Sequence, residues 1–197
     1  MAIYTNYGMK KVDSIVSSTL ADSFTIDLPF TNAFDNRTSV VVGSAQLEAD
    51  NQRSFFIRLQ KSDGTNLDLM PSVCITGTNN RRGASTINTT PPSTGMNIGY
   101  YDLGNVNYTT YSGEMIHFML FIKNRRTTSE PFERIIVESN CAVNSGTNFH
   151  HSHGIAQAVS DLLPTKVQFH STSSVNGNGQ LTINATSYNL LTNDTDT

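Results

Sequence analysis

The last third of the chain alternates between apolar and polar residues on both sides of a short turn. Residues 166–174 and residues 180–186 carry the alternation, and the sequence Asn-Gly-Asn-Gly at residues 176–179 lies between them. Side chains switch faces at every residue of a strand, and Gly and Asn readily take the positive φ of a tight turn. This segment therefore predicts a β-hairpin. The same pattern recurs along most of the chain, which predicts an all-β protein.

Length and charge limit the classes of protein to consider. The 197 residues are enough to bury a core, and β-sandwiches of this length are commonly one domain. Only 15% of the residues are charged and the formal net charge is −3, so the chain lacks the basic field that nucleic-acid binding requires. No apolar run reaches membrane-spanning length. We predict one domain over residues 1–197, with a polar N-terminal arm at about residues 1–13, a polar C-terminal tail at about residues 188–197, and neither nucleic acid nor membrane as a partner.

The spacing of apolar runs and turns predicts the architecture. About nine or ten short strands follow one another, beginning with residues 23–28, and Asp63-Gly64 marks a turn. Residues 77–95 contain hardly any large apolar residue and predict a long excursion. Only residues 154–163 are compatible with a short helix. Strands at this spacing, joined by long loops, predict an antiparallel two-sheet sandwich of jelly-roll type.

The most hydrophobic segment, residues 114–123, is apolar on both faces of the predicted strand. One face carries Ile116, Phe118, Leu120 and Ile122, and the other carries Met115, Met119 and Phe121. Such a strand either lies at the centre of the protein with both faces covered, or presents its second face to another subunit. We therefore predict a homo-oligomer with Met115, Met119 and Phe121 as interface candidates.

Three histidines cluster in residues 149–154. If the segment is extended, His151 and His153 point to the same side, and neutral imidazoles are common ligands of transition metals. Two ligands are too few for a tight site, but three chains around a threefold axis would supply six. The alternative is a polar loop whose histidines are solvated or hydrogen-bonded to neighbours. No cofactor is expected, and His151 and His153 are the candidate metal ligands; His117 and His170 are expected to be satisfied sheet residues.

The sequence contains none of the common catalytic motifs. It lacks a Gly-x-Ser-x-Gly elbow, a phosphate-binding loop, a His-Glu-x-x-His segment and a Cys-x-x-Cys pair. Most acidic residues lie at turns or on the polar side of strands. Cys74 and Cys141 do not have the spacing of metal ligands. They are either two buried free thiols or the two halves of one disulfide. We predict that the protein is not an enzyme.

Tyrosines suggest a second class of function. Tyr100, Tyr101, Tyr108 and Tyr111 combine an apolar ring with a polar tip, as side chains that stack on sugars do. A carbohydrate-binding or receptor-binding β-sandwich module is therefore the alternative to a structural protein, with glycans as the additional partner.

The C-terminal pattern resembles a known group of proteins. A Lys-Val-Gln-Phe strand, a Ser/Thr-rich end, an Asn/Gly turn and a Leu-Thr-Ile strand follow a Gly-Ile-Ala segment. This is similar to the closing hairpin of small jelly-roll virion proteins of tailed bacteriophages, which decorate capsids or form tail and fibre parts. The resemblance covers residues 116–185 at most, and Ile-Asn-Ala at residues 183–185 departs from the Leu-Tyr-Gly ending of many such proteins. It implies a non-enzymatic structural protein, located in the virion, that self-associates and docks on other virion proteins.

Overall fold

The chain forms strands throughout the part that the structure describes. The computed structural model describes residues 8–31, 37–47, 53–67, 73–78, 85–89, 96–100, 115–124, 135–145, 148–158, 163–173 and 180–191. These segments contain twelve strands: β1 (Gly8–Ala21), β2 (Ser23–Asp27), β3 (Thr38–Leu47), β4 (Arg53–Gln60), β5 (Val73–Thr78), β6 (Ser85–Thr89), β7 (Met96–Tyr100), β8 (Met115–Lys123), β9 (Ile136–Ser145), β10 (Asn148–Gln157), β11 (Lys166–Ser173) and β12 (Leu181–Leu191).

The strands are arranged in two sheets. The larger sheet has the order β1-β12-β3-β8-β9-β10-β5-β6, and the smaller sheet has the order β2-β11-β4-β7. Every pairing between neighbouring strands is antiparallel. The predicted all-β fold with two antiparallel sheets is therefore confirmed.

Three phenylalanines join the two sheets through the core. Phe118 of β8 lies 5.4 Å from Phe55 of β4 and 5.0 Å from Phe169 of β11, measured between ring centroids. Phe55 and Phe169 stack on each other at 5.9 Å. All three rings are buried, and aromatic pairs at such distances add about 0.5–1.5 kcal/mol beyond the burial of their area. The centre of the sandwich is thus a contact between one ring of the larger sheet and two of the smaller sheet.

The period-2 alternation decides which side chains enter this core. In β8 the residues that the sequence assigned to one face, Ile116, Phe118, Leu120 and Ile122, are all buried. Leu181, Ile183 and Ala185 of β12 face the core in the same way, and so do Val167 and Phe169 of β11. β8, β11 and β12 therefore contribute every second side chain to the core, as a sheet covered on one face requires.

The predicted C-terminal hairpin is wrong, although both of its strands exist. β11 pairs with β2 and β4 in the smaller sheet, whereas β12 pairs with β1 and β3 in the larger sheet. The intervening residues 174–179 lie outside the described segments. Alternation with a turn fits a hairpin and a crossing between two packed sheets equally well, because both need one buried face per strand.

Several predicted boundaries also change. β1 begins at Gly8, so residues 8–13 of the predicted arm form an edge strand, whose polar and charged side chains suit an edge. β12 extends to Leu191 into the predicted tail. The predicted excursion at residues 77–95 contains β6. Residues 154–157 belong to β10 rather than to a helix, since β9 and β5 pair with β10 on both of its sides.

The Asp63-Gly64 turn follows its sequence prediction. Gly64 has a φ of 82°, the backbone N–H of Thr65 donates to Asp63 Oδ1 at 2.8 Å, and the Lys61 N–H donates to the Thr65 carbonyl at 3.0 Å. The hydrogen bond from Thr65 lowers the pKa of Asp63. The turn leads only to an isolated bridge between Gln60 and Asn66, not to a long hairpin.

The strand register separates the two cysteines. Cys74 of β5 lies opposite Gly154 of β10, and Cys141 of β9 lies opposite Ser152 of β10. Two strand spacings, about 9.6 Å, therefore lie between them, more than the roughly 7 Å within which Cα atoms can be bridged. Cys141 is buried. A disulfide between these residues is incompatible with this fold.

Gly43 provides a test of the packing around Phe118. A Cβ atom at Gly43 would lie 2.5 Å from the Asn184 carbonyl oxygen, 2.8 Å from Phe118 Cζ and 2.9 Å from Ala185 Cα, whereas a Cβ at Gly8 of β1 meets nothing within 4 Å. We expect Gly43→Ala to lower the free energy of unfolding by about 1–3 kcal/mol, because overpacking forces core atoms apart. Gly8→Ala is the matched control in urea unfolding. Equal midpoints for the two variants would contradict the packing described.

Candidate functional site

The larger sheet has one face turned away from the smaller sheet, which we call the outer face. In β8 it carries Met115, His117, Met119 and Phe121, the residues that alternate with the buried ones. β8 lies in the interior of the sheet, between β3 and β9. The sequence left two arrangements open for this strand. In the described part of the chain, one face of β8 is covered by the smaller sheet and the other face is uncovered.

The interface candidates of β8 lie on this outer face. Met115 and Met119 are each 40% exposed, and Phe121 is half-buried. Met119 lies opposite Val42 of β3 and Asn140 of β9 in register. The side chains that the sequence proposed for an interface are thus brought together on one surface. Their role as an interface stays a prediction.

Apolar side chains from other strands extend the same surface. Among the described residues seven large apolar side chains are exposed, and five of them belong to the outer face: Met9, Val16, Met115, Met119 and Ile155. Val16, on β1, is the most exposed of them at 77%. Val16 was not predicted, because the first strand was expected at residues 23–28, after β1. Exposed apolar side chains grouped on one face of a sheet make that face a candidate interaction surface.

A shallow groove runs across the outer face between β1 and β8. Its volume is about 190 Å³, and Val16 and Met115 lie at its two sides. Short polar side chains of β3 and β12 line it between them: Ser44, Gln46, Thr182 and Asn184. A protruding apolar side chain of a partner would fit between Val16 and Met115.

Opposite charges are paired at the edge of this apolar region. Lys123 Nζ lies 2.7 Å from Glu138 Oε1, and each side chain is about one third exposed. Glu138 lies opposite both Phe121 and Ile155 in register. An ion pair so exposed contributes at most about 1 kcal/mol. Its main effect is that this part of the outer face carries no net charge from the pair.

The histidine segment is a strand. Residues 148–157 form β10, so the backbone places His151 and His153 on one side, as the sequence predicted for an extended segment. His153 is half-buried on the outer face, and its Nδ1 lies 3.0 Å from Asn140 Oδ1, the hydrogen-bonded alternative for this residue. The side chain of His151 lies outside the described part of the structure. No group of three potential metal ligands occurs among the described residues, and the metal role stays a prediction.

His170 differs from the predicted satisfied sheet residue. It lies on the side of the smaller sheet that faces away from the core, stacked on Phe56 at 5.3 Å between ring centroids, and its Nε2 is buried without a hydrogen-bond partner. Burial, and secondly the charge of Arg58, lowers the pKa of His170 to about 4. The ring is therefore neutral at physiological pH. A lone strand histidine carries no sequence signal for this environment.

The other candidates of the sequence analysis fall outside the described residues. These are Tyr101, Tyr108 and Tyr111, together with the side chain of Tyr100 at the end of β7. Within the described segments, no helix has the length and apolar character needed to cross a bilayer.

Comparison with known proteins returns no relative. No protein-family model matches the chain, and no curated protein and no solved structure matches it significantly.

The lowered pKa of His170 has a consequence for stability. Between pH 6.5 and about 4 the unfolded chain binds a proton at this residue and the folded chain does not, so stability falls as the pH falls through this window. When the pH is lowered from about 7 to about 4.5, we expect the free energy of unfolding to fall less in the His170→Gln variant than in the natural chain. Urea unfolding at both pH values measures the difference.

Other titrating groups affect this comparison little, because they are common to both proteins. The stacking on Phe56 that the variant loses also affects it little, because that loss acts at both pH values. An NMR titration of the His170 ring gives the same quantity directly. A ring midpoint near 6.5, or equal losses in the two proteins, would show that the ring is solvated.

Proposed function

We propose that the protein is a non-enzymatic structural subunit that self-associates through the outer face of the larger sheet. The observation that carries the proposal is the concentration of exposed apolar side chains on this face, five of the seven in the described residues. The groove between Val16 and Met115 lies on the same face. Surfaces that are exposed and apolar in a monomer are usually covered in the working assembly.

A second copy of the chain is the occupant that these features favour. Val16 projects beside the groove that it borders, so a copy related by a twofold axis would offer the same projection to the same groove. The Lys123–Glu138 pair leaves no net charge there to repel an identical face. Homo-oligomers with closed symmetry are the commonest assemblies of soluble chains.

The expected affinity of an isolated contact is low. The five side chains are 40–77% exposed, so each gains only part of the roughly 1.5–3 kcal/mol available on full burial. Five such residues on each subunit therefore provide several kcal/mol, against an association cost of about 4–15 kcal/mol. A weak contact of this size becomes effective where many copies are arranged together, since each further contact is then intramolecular. A repeating particle surface provides this arrangement.

We also propose that the sandwich is a jelly roll. Eight strands support this topology: β1 pairs with β12, β2 with β11, β3 with β8, and β4 with β7. Among these eight strands the first pairs with the last, the second with the next-to-last, and so on inwards, as in a long hairpin that is rolled up. The remaining four strands extend the larger sheet beyond β8. Jelly rolls are frequent in viral capsid proteins, which supports the virion role implied by the C-terminal resemblance.

A pair of substitutions separates association from folding. We expect Phe118→Ala to lower the free energy of unfolding by about 3–5 kcal/mol, because it leaves a cavity between the sheets. Met119→Asp should leave folding nearly unchanged and weaken self-association at least about tenfold, because a buried unpaired charge opposes the contact. Sedimentation equilibrium over a wide concentration range measures association, and thermal unfolding measures stability.

Ser62→Asp is the charge-matched control, since residue 62 lies in an exposed turn away from the outer face. A natural chain that stays monomeric at the highest soluble concentration, and forms no ordered particle in electron micrographs, would contradict the proposal. So would a Met119→Asp variant that unfolds as readily as Phe118→Ala, because both faces of β8 would then be internal.

A further inference from the structure

A polar pocket lies on the smaller sheet, on the side opposite to the outer face of the larger sheet. Its volume is about 160 Å³, and six residues line it: Asp22, Ser23, Arg58, Gln168, His170 and Ser171. Arg58 lies opposite Gln168 in register, and His170 lies opposite Ser23. Adjacent strands β2, β11 and β4 thus hold the lining in place.

Three of the lining side chains that point away from the core carry a buried polar atom without a hydrogen-bond partner. These atoms are Arg58 Nε, Gln168 Oε1 and His170 Nε2. Ser171 Oγ is also buried without a partner, but it lies on the core-facing side of β11, opposite Phe55 in register. Buried polar atoms are nearly always paired, and an unpaired one destabilises the fold. A cluster of three beside one pocket indicates groups arranged for a ligand rather than for the stability of the fold.

The charges and the hydrogen-bonding types limit the chemistry of that ligand. Arg58 is positive and can only donate, whereas Asp22 and the Gln168 carbonyl oxygen can only accept. An anion would meet the Asp22 carboxylate, and a cation would meet the Arg58 guanidinium. Neutral hydroxyl groups both donate and accept, so they can satisfy both kinds of partner.

We propose that this pocket binds a single sugar unit of a neutral saccharide. A six-membered ring with its hydroxyl groups offers donors and acceptors in several directions at once, as this mixed lining requires. The site is separate from the self-association surface and does not depend on it. It also differs from the tyrosines that suggested glycan binding in the sequence.

Contacts with neighbouring residues hold the lining side chains in positions from which they can bind hydroxyl groups. Gln168 Nε2 donates to Ser23 Oγ at 3.2 Å, which fixes the amide group and turns its carbonyl oxygen away from Ser23. Stacking on Phe56 fixes the His170 ring, and the neutral ring can accept or donate at Nε2. The three atoms are shielded from water in the structure. Because Arg58 is long and only partly buried, a rotamer change of its side chain can open them to a ligand.

The test uses the full chain labelled for NMR. Methyl glycosides of glucose, galactose, mannose and N-acetylglucosamine are titrated to tens of millimolar, with inorganic phosphate as the anionic probe. We expect saturable shifts at Gln168 and His170 with at least one glycoside and none with phosphate. Shifts with phosphate alone, saturable shifts elsewhere only, or no saturable shift with any glycoside would overturn the proposal.

His170→Phe distinguishes a ligand site from a structural one. It replaces the buried, unpaired ring nitrogen by an apolar ring that can still stack on Phe56. The unfolding midpoint at pH 7 should be unchanged or higher, while the dissociation constant of the glycoside should rise about tenfold. Thr182→Val, on the outer face of the larger sheet, is the control and should leave the dissociation constant unchanged. A lower midpoint for His170→Phe with unchanged binding would show that the ring nitrogen serves the fold. Failure of this site leaves the sedimentation results for Met119→Asp unaffected.

Discussion

The contact of Phe118 with Phe55 and Phe169 is the interaction on which the arrangement of the two sheets depends. It fixes which face of β8 is internal, and the register of the larger sheet then fixes the inward side chains of β3, β9 and β12. Gly43 leaves the space that the Phe118 ring occupies. Because a sheet has only two faces, the same contact determines that Met115 and Met119 point away from the core. The core and the proposed interface are therefore two consequences of one alternating pattern.

The sequence predicted local structure well and pairing poorly, for a physical reason. Alternation in residues 114–123 identified β8 and assigned Phe118 and Met119 to opposite faces, since side-chain direction follows directly from strand geometry. Pairing depends on which strands share a core over long separations, and alternation is the same for every partner. β11 and β12 illustrate this, because they are neighbours in sequence but belong to different sheets. β1 was missed in part because an edge strand keeps many polar side chains.

The candidate sites divide in the same way. Met115 and Met119 were accessible to sequence reasoning, because an apolar residue on the second face of a strand stands out against a polar background. Val16 lies in a polar segment, and only its register opposite Asn184 places it on the outer face. The polar pocket had no signal at all. Arg58 and His170 are ordinary residues at alternating positions of β4 and β11, and only their meeting across two strands makes their unpaired atoms significant.

A two-layer sandwich has two external faces, and in this chain their chemistry differs. The outer face of the larger sheet has exposed methionines and a paired lysine and glutamate, whereas the opposite side of the molecule has a pocket of unpaired polar groups. Covering an apolar face gains free energy, but covering unpaired polar groups with an apolar partner would add to their cost. The two surfaces therefore call for different partners. In an assembly built through the larger sheet, the pocket would stay on the open side, so self-association and ligand binding would not compete for the same surface.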